Sequence, residues 1–250
     1  MIPLSLVISE NVPIFEQLQL EEALLRADQR NWCLINIGTP PAIVMGISGK
    51  PEVLIDAHTF NELPIPLIRR FSGGGTVIVD GHTVFVTWIF NAETIDVACC
   101  PQKIHRWTEK FYQQALPTLD MQLVENDYVM AGRKFGGNAQ YLCKGRWLHH
   151  SSLLWDYDPA MMQYLLMPPK VPSYRQGRQH DDFLCRLRDH IPEKSLVVQQ
   201  IQQSIRECFL VHDVNKEELQ KIKCLPHRQA TQQVSFEKKT TEGIWDRAIN

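Results

Sequence analysis

A chain of 250 residues with 44% apolar, 9% aromatic and 22% charged residues has globular usage and the length of one large domain, or one domain with a small annex. That excludes a disordered polymer, a collagen-like fibre and a disulfide-stapled miniprotein. With 26 Lys and Arg against 28 Asp and Glu, the charge nearly cancels, which argues against a general partner for nucleic acid or an anionic membrane.

Along the chain, Phe15, Leu18 and Leu25, with Leu24 beside them, recur at the helical period and predict an amphipathic helix over 15–29. Strands are expected over 33–37 and 43–47 around the Thr39-Pro40-Pro41 turn. Three more follow over 66–71, 76–80 and 84–90, joined by a glycine-rich loop and a Gly81-His82 turn. Ile104, Trp107, Phe111 and Ala115 mark a helix over 103–115. Extended segments over 121–125, 134–143 and 146–155 come next, the last two joined by a Lys144-Gly145 hairpin turn. After a connection containing Pro168, Pro169 and Pro172, a helix is expected over 196–209 on Val198, Ile201, Ile205 and Cys208. Strands in adjacent runs with few helices between them predict an α+β fold, a mixed and largely antiparallel sheet flanked by helices. One domain is expected over 1–225, followed by a polar, loosely ordered tail over 226–250.

The seven cysteines include no C-x-x-C pair, so free thiols in a reducing compartment are expected. The first 25 residues hold four glutamates and no Lys or Arg, the reverse of a signal or transit peptide. The longest uncharged run, 31–49, is broken by Gly and Pro and reads as two strands rather than a membrane span. A cytoplasmic protein is the expectation.

Three segments carry candidate chemistry. In Arg69-Arg70-Phe71-Ser72-Gly73-Gly74-Gly75-Thr76, consecutive glycines let the backbone bend against a ligand, and their amides with the arginines can hold an anion. A hairpin tip flanked by surface arginines is the alternative. Neither a Walker A loop nor a G-x-G-x-x-G fingerprint occurs in the chain. In Gly132-Arg133-Lys134-Phe135-Gly136-Gly137-Asn138-Ala139, a lysine between glycines can reach an acyl oxygen or a phosphate as a point charge, or be a solvated strand lysine. The third segment is His149-His150-Ser151-Ser152. It lacks a G-x-S-x-G elbow, and adjacent strand histidines face opposite ways.

Together, residues 69–78, 125–127, 132–140 and 149–154 resemble the lipoate–protein ligase A family in order and spacing. There a strand ends in R-R-x-S-G-G-G, and N-D, G-R-K-x-x-G-x-A and H-H-G-T-L-L follow. The resemblance runs from about 15 to 192 and implies a biotin/lipoate ligase-like catalytic domain. It also implies two steps: ATP activates lipoate as lipoyl-AMP, and the acyl group passes to a lysine of a lipoyl-carrier domain. Such carriers belong to 2-oxoacid dehydrogenases or are the glycine-cleavage H protein. Carried over by position, Arg70, Ser72, Gly73, Gly74, Gly75, Thr76, Val77 and Ile78 bind nucleotide and substrate, joined by Asn126, Asp127, Gly137 and His150. Lys134 is then the catalytic cation on the acyl carbonyl and α-phosphate. Mg²⁺ shields the phosphates, with Asp127, and beside it Asp80, as candidate ligands.

The chain departs from the family pattern. Val77-Ile78-Val79-Asp80-Gly81-His82-Thr83 stands where the family has V-[YF]-H-D-x-G-N, Gly46-Ile47-Ser48-Gly49-Lys50 where it has G-R-x-Q-N, and Ser151 where it has Gly. These changes bear on acyl-chain choice and catalytic strength. The stretch after Pro192 is expected to lack the accessory domain of long bacterial ligases, so a separate accessory subunit is an expected partner. Two alternatives stand beside the ligase. One is an ATP-independent octanoyl or lipoyl transferase working through a cysteine acyl-enzyme; related transferases place that cysteine just before the N-D pair or after the H-H strand. Here 116–126 and 166–183 contain none, and Cys143 and Cys185 lie outside both. The other is a non-enzymatic lipoyl- or carrier-binding protein.

Overall fold

A computed structural model describes residues 1–97 and 99–236. In chain order they form β1 (Ile2–Glu10), α1 (Ile14–Ala27), β2 (Trp32–Ile37), β3 (Ala42–Met45), α2 (Pro51–Leu54), α3 (Ala57–Glu62), β4 (Leu67–Arg69), β5 (Val77–Val79) and β6 (Thr83–Asn91). There follow α4 (Pro101–Ala115), β7 (Met121–Val124), β8 (Asp127–Met130), β9 (Arg133–Cys143), β10 (Arg146–Leu154), α5 (His180–Phe183), α6 (Lys194–Cys208), β11 (Phe209–Asp213), α7 (Lys216–Lys223) and β12 (Gln232–Gln233).

The strands divide into two sheets. Eight run in the order β11-β1-β2-β6-β10-β9-β8-β7 and four in the order β12-β4-β3-β5. Only β11-β1, β1-β2 and β3-β4 are parallel, so the expected mixed, largely antiparallel α+β fold is what forms. Strand β6 sits at the centre of the large sheet, and its residues Thr83–Phe90 are all buried. Alternation then sorts its side chains between two layers. Trp88 and Phe90 pack with Trp147, Phe111 of α4 and Val198, Ile201 and Ile205 of α6. Ile89 points the other way, into a cluster with Leu24 and Leu25 of α1, Phe71, Leu148 and Ile222 of α7. The small sheet covers the rest of that second face: Val44, Ile68 and Val79 meet Ile14 and Leu18 of α1 and Phe85 of β6.

Most elements fall within a few residues of their expected places, with informative exceptions. The strand expected over 66–71 ends at Arg69, because Arg70 turns inward to brace the following loop. No strand was expected over 2–10, yet β1 pairs in parallel with both β2 and β11. Its partner across the sheet edge, Phe209, comes from the far end of the sequence. The segment at 127–130, also not expected, forms β8 between β7 and β9.

The tail expected to be loosely ordered from residue 226 has defined contacts over 226–236. Glu22, buried in α1, accepts hydrogen bonds from the amides of Ala230 and Thr231 at 2.9 and 3.0 Å. β12 then adds to the edge of β4, and Phe236 packs edge-on against Phe60. Residues 237–250 lie outside the described residues.

Candidate active site

Beyond Arg69 the chain leaves β4 and folds over itself. Arg70 is buried, and its Nη2 donates to the carbonyls of Gly73 at 2.7 Å and Gly75 at 2.9 Å. Its Nε reaches Ser72 Oγ at 3.1 Å, and Nη1 the Val44 carbonyl at 3.4 Å. Burial brings the guanidinium down to about 10, with the charge of Glu21 opposing part of that effect. The arginine carried over by motif as a nucleotide contact is therefore an internal brace of the loop. The brace also explains one glycine. Gly74 has φ +98°, and a Cβ there would stand 2.7 Å from Arg70 Nη2. At Gly73 and Gly75 a Cβ would meet nothing within 4 Å. The amides of Gly73, Gly74 and Gly75 donate to no acceptor among the described residues, as an anion-binding loop requires. Thr76 and Val77 are half-buried, while Ile78 is buried with Ile43 and Met45 in the small sheet's outer cluster. The Ile78 side chain is thus core rather than site.

Ser72 begins a buried polar chain. A hydrogen bond of 3.0 Å joins its Oγ to His150 Nε2, and His150 Nδ1 lies 2.9 Å from Glu21 Oε2. Donation from Nδ1 to the carboxylate leaves Nε2 of the neutral ring to accept from the serine. Thr87 Oγ1 and Gln17 Nε2 donate to the other Glu21 oxygen at 2.7 and 2.8 Å. The Ser–His–Glu order imitates a hydrolytic triad, but Ser72 is 0% exposed and no acyl carbonyl can reach it. The chain instead fixes the entrance of the glycine loop to α1. Glu21 was not identified as a site residue from sequence. The available signal was a carboxylate three residues from Leu18 and four from Leu25, on the apolar stripe of a helix.

Lys134 lies on β9, beyond a register shift in the β8–β9 pairing. Its Nζ is 2.9 Å from Asp127 Oδ1, and Tyr174 OH donates to Asp127 Oδ2 at 2.8 Å. A Cβ at Gly137 would come within 3.3 Å of Nζ, so this glycine gives the ammonium room. Two residues on, the Ala139 Cβ would be 3.3 Å from a Cβ at Gly74. Ala139 pairs with His150 and Gly137 with Ser152. Alternation puts Gly137, Ala139 and the glycine loop on the face of His150, and the extra residue at the register shift brings Lys134 onto that same face of the large sheet. Asn126 is apart from them: it is exposed in the β7–β8 turn, where its carbonyl accepts from Asn138 Nδ2 at 3.0 Å. His149 points into the opposite layer, where Gln140 Nε2 and His149 Nδ1 are 3.0 Å apart. Tyr174 is the other residue that sequence reasoning did not find; it arrives from a connection 47 positions away from Asp127.

A resident metal does not fit this arrangement. Both oxygens of Asp127 are engaged, and Asp80 Oδ1 accepts from the His82 amide at 2.8 Å in its own turn. Among the described residues no three His, Cys, Asp or Glu side chains are grouped to hold an ion. The thiol of Cys185, whose amide donates to the Lys134 carbonyl at 2.8 Å, is buried and donates to the Arg133 carbonyl at 3.3 Å. Burial pushes its pKa up, away from the thiolate that acyl transfer needs.

The model of the lipoyl protein ligase A/B catalytic domain matches residues 13–210. The chain belongs to that family. It is 27% identical over 235 residues to an "inactive lipoate–protein ligase 2" of Plasmodium falciparum, covering 70% of this chain and 61% of that protein. The family member described here thus spans about three-fifths of that relative's length. Among solved structures, a bipartite lipoate protein ligase of Thermoplasma acidophilum, studied with its E2 lipoyl domain, matches with a TM-score of 0.72 at 17% identity, covering 89% of this chain and 91% of that one. A lipoate-protein ligase A bound with ATP matches with a TM-score of 0.71 at 17% identity, covering 89% and 93%. These two likenesses concern the fold. Among the described residues, no helix is long and apolar enough to cross a membrane.

Proposed function

We propose that this chain is the catalytic unit of an ATP-dependent lipoate–protein ligase, forming lipoyl-AMP and passing the lipoyl group to a lysine of a lipoyl-carrier domain. The observation that carries the reading is the common sheet face of Lys134 and the three glycine amides that donate to no described residue. Adenylation builds negative charge on a pentavalent phosphate as the lipoate carboxylate attacks and pyrophosphate leaves. Fixed amide dipoles and an ammonium oppose that charge without having to reorganise. In this reading Lys134 exchanges its bond to Asp127 for the α-phosphate and the acyl oxygen. Transfer is then a matter of holding the carrier amine against a polarised mixed anhydride. Mg²⁺ enters with ATP as part of the co-substrate.

Two features of the relatives support the assignment of substrates: the ATP in one structural neighbour and the E2 lipoyl domain studied with another. The word "inactive" in the Plasmodium relative's name makes turnover the quantity to measure. The deciding assay combines the full chain with lipoate, ATP, Mg²⁺ and a lipoyl domain, read by intact mass. Expected is ATP-dependent modification of the carrier and no covalent acyl adduct on the chain. Transfer without ATP through a thioester would replace the reading by the transferase. Binding without turnover would leave a lipoyl- or carrier-binding protein.

A further inference from the structure

The far end of the β9–β10 hairpin holds a cavity of about 510 Å³, lined in part by Arg26, Lys144, Arg146, His227 and Arg228. None of its lining residues is a carboxylate. In a chain with more acidic than basic residues, composition alone does not produce such a lining. The carboxylates nearest in sequence are already engaged. Glu22 receives Arg26 Nε at 3.0 Å together with the amides of Ala230 and Thr231. Asp28 receives the Trp32 indole N–H at 3.0 Å and the guanidinium of Arg30, and its charge offsets only part of the cost of burying Arg146, whose pKa burial still lowers.

Arg146 is the decisive residue. It is only 5% exposed, and its Nη2 donates to the Arg30 carbonyl at 2.7 Å. Its Nε and Nη1 are buried with no acceptor among the described residues. A cation held out of water with unmet N–H groups is expensive unless negative charge comes to it. Lys144 and Arg228 are exposed at the rim, free to close on the oxygens of a ligand.

We propose that this cavity, separate from the Lys134 groove, is an anion site for a phosphate group. Lys144 and Arg228 contact its oxygens, and the buried Arg146 sets a fixed positive potential beneath them. Several cations approaching from different sides suit a dianion with acceptors in several directions better than a single carboxylate. The volume also leaves space for a small organic body attached to the phosphate.

The test titrates the full chain with inorganic phosphate and, separately, with glycerol 3-phosphate at ionic strength balanced by chloride, followed by calorimetry. Saturable binding of either is expected, and the tighter of the two tells whether the phosphate is free or carried on an organic group. A Lys144→Gln/Arg228→Gln double variant, with both changes at exposed positions, should fold as the parent and lose about 10-fold or more in affinity, the effect of losing charge-assisted hydrogen bonds. Arg146→Gln should weaken binding as well, and Lys134→Ala should leave it unchanged. Binding of neither probe, an effect that chloride reproduces, equal affinity in the double variant, or loss in Lys134→Ala would each overturn the proposal.

Discussion

Lys134 stands 2.9 Å from an Asp127 oxygen with 19% of its side chain exposed, close enough to solvent for ligand to compete for it. Replacing it by alanine should lower ligation on the order of 10²-fold, the usual effect of deleting an electrostatic stabiliser. The melting temperature should fall as well, because alanine leaves the buried Asp127 carboxylate without its cation, and the same fall with unchanged ligation would mark the lysine as structural. Single-turnover ligation beside a thermal melt checks both, and wild-type turnover would remove the lysine from the mechanism. The glycines separate more finely. Gly74→Ala meets both a positive φ and Arg70 Nη2, so it should lower the melting temperature and disturb the loop. Gly75→Ala has open space around the new Cβ; it should melt as the parent and weaken binding of a lipoyl-adenylate analogue measured by calorimetry. Equal affinity in that variant would mean that ligand does not approach the loop there. These contrasts were not readable from R-R-x-S-G-G-G. A motif gives residue types and spacing, whereas the direction of the Arg70 guanidinium is decided by the carbonyls of Val44, Gly73 and Gly75 that fold around it.

Strand β10 presents His150 to α1 and His149 to α4, as the two-residue period requires. Along this element the sequence was legible: the hairpin at Lys144-Gly145, the alternation and the opposed histidines all follow from local pattern. Strand β1 was missed although Ile2, Leu4, Leu6 and Ile8 alternate with Pro3, Ser5 and Ser9 and only Val7 breaks the pattern; what local pattern does not show is its pairing with the distant Trp32–Ile37 and Phe209–Asp213. Glu21 was missed for the same reason, since its meaning depends on a strand 129 positions away. The buried histidine has a measurable consequence. Burial, and after it the repulsion from His105 and His150 when those rings are protonated, hold the His149 pKa well below its ordinary 6.5. Burial likewise lowers that of His105. Below pH 6.5 the unfolded chain therefore takes up protons that the folded chain refuses, and stability falls as the pH drops. For His149 the slope has an upper limit of about 1.4 kcal/mol per pH unit. Asp28 and Asp156 have pKa values held below their ordinary 3.8, so their pairs are lost only in more acidic solution. The melting temperature should accordingly decline between pH 6.5 and 5. His149→Gln should flatten that decline, and an unchanged slope would show that protonation of this ring does not govern it.

At the scale of the molecule, the last described residues tie the two sheets to the helix that carries Glu21. From α7 the chain crosses α1, where buried Glu22 takes the Ala230 and Thr231 amides. It then adds β12 alongside Arg69 and Ile68, the residues leading directly into Arg70 and the glycine loop. Val234 and Phe236 close over the small sheet's outer cluster. A segment bound in this way stabilises the strand from which the candidate site is built, and removing it should act on both stability and ligand binding. Two truncations separate this from any effect of residues 237–250: one ending at Phe236, the other at Leu225. The first is the reference, since it carries whatever effect the loss of residues 237–250 has. The second loses two backbone hydrogen bonds to a buried carboxylate and the β12 pairing, together about 3 kcal/mol or more. For a chain of this size that corresponds to a fall of about 6–12 °C. Its affinity for a lipoyl-adenylate analogue should fall as well, because β4 is left as an unpaired edge just before the loop. Glu22→Gln, which keeps the shape but weakens the acceptor, should give a smaller drop in melting temperature with the same sign. If the chain ending at Leu225 melts and binds as the chain ending at Phe236 does, the segment is only a covering and the loop holds its shape without it.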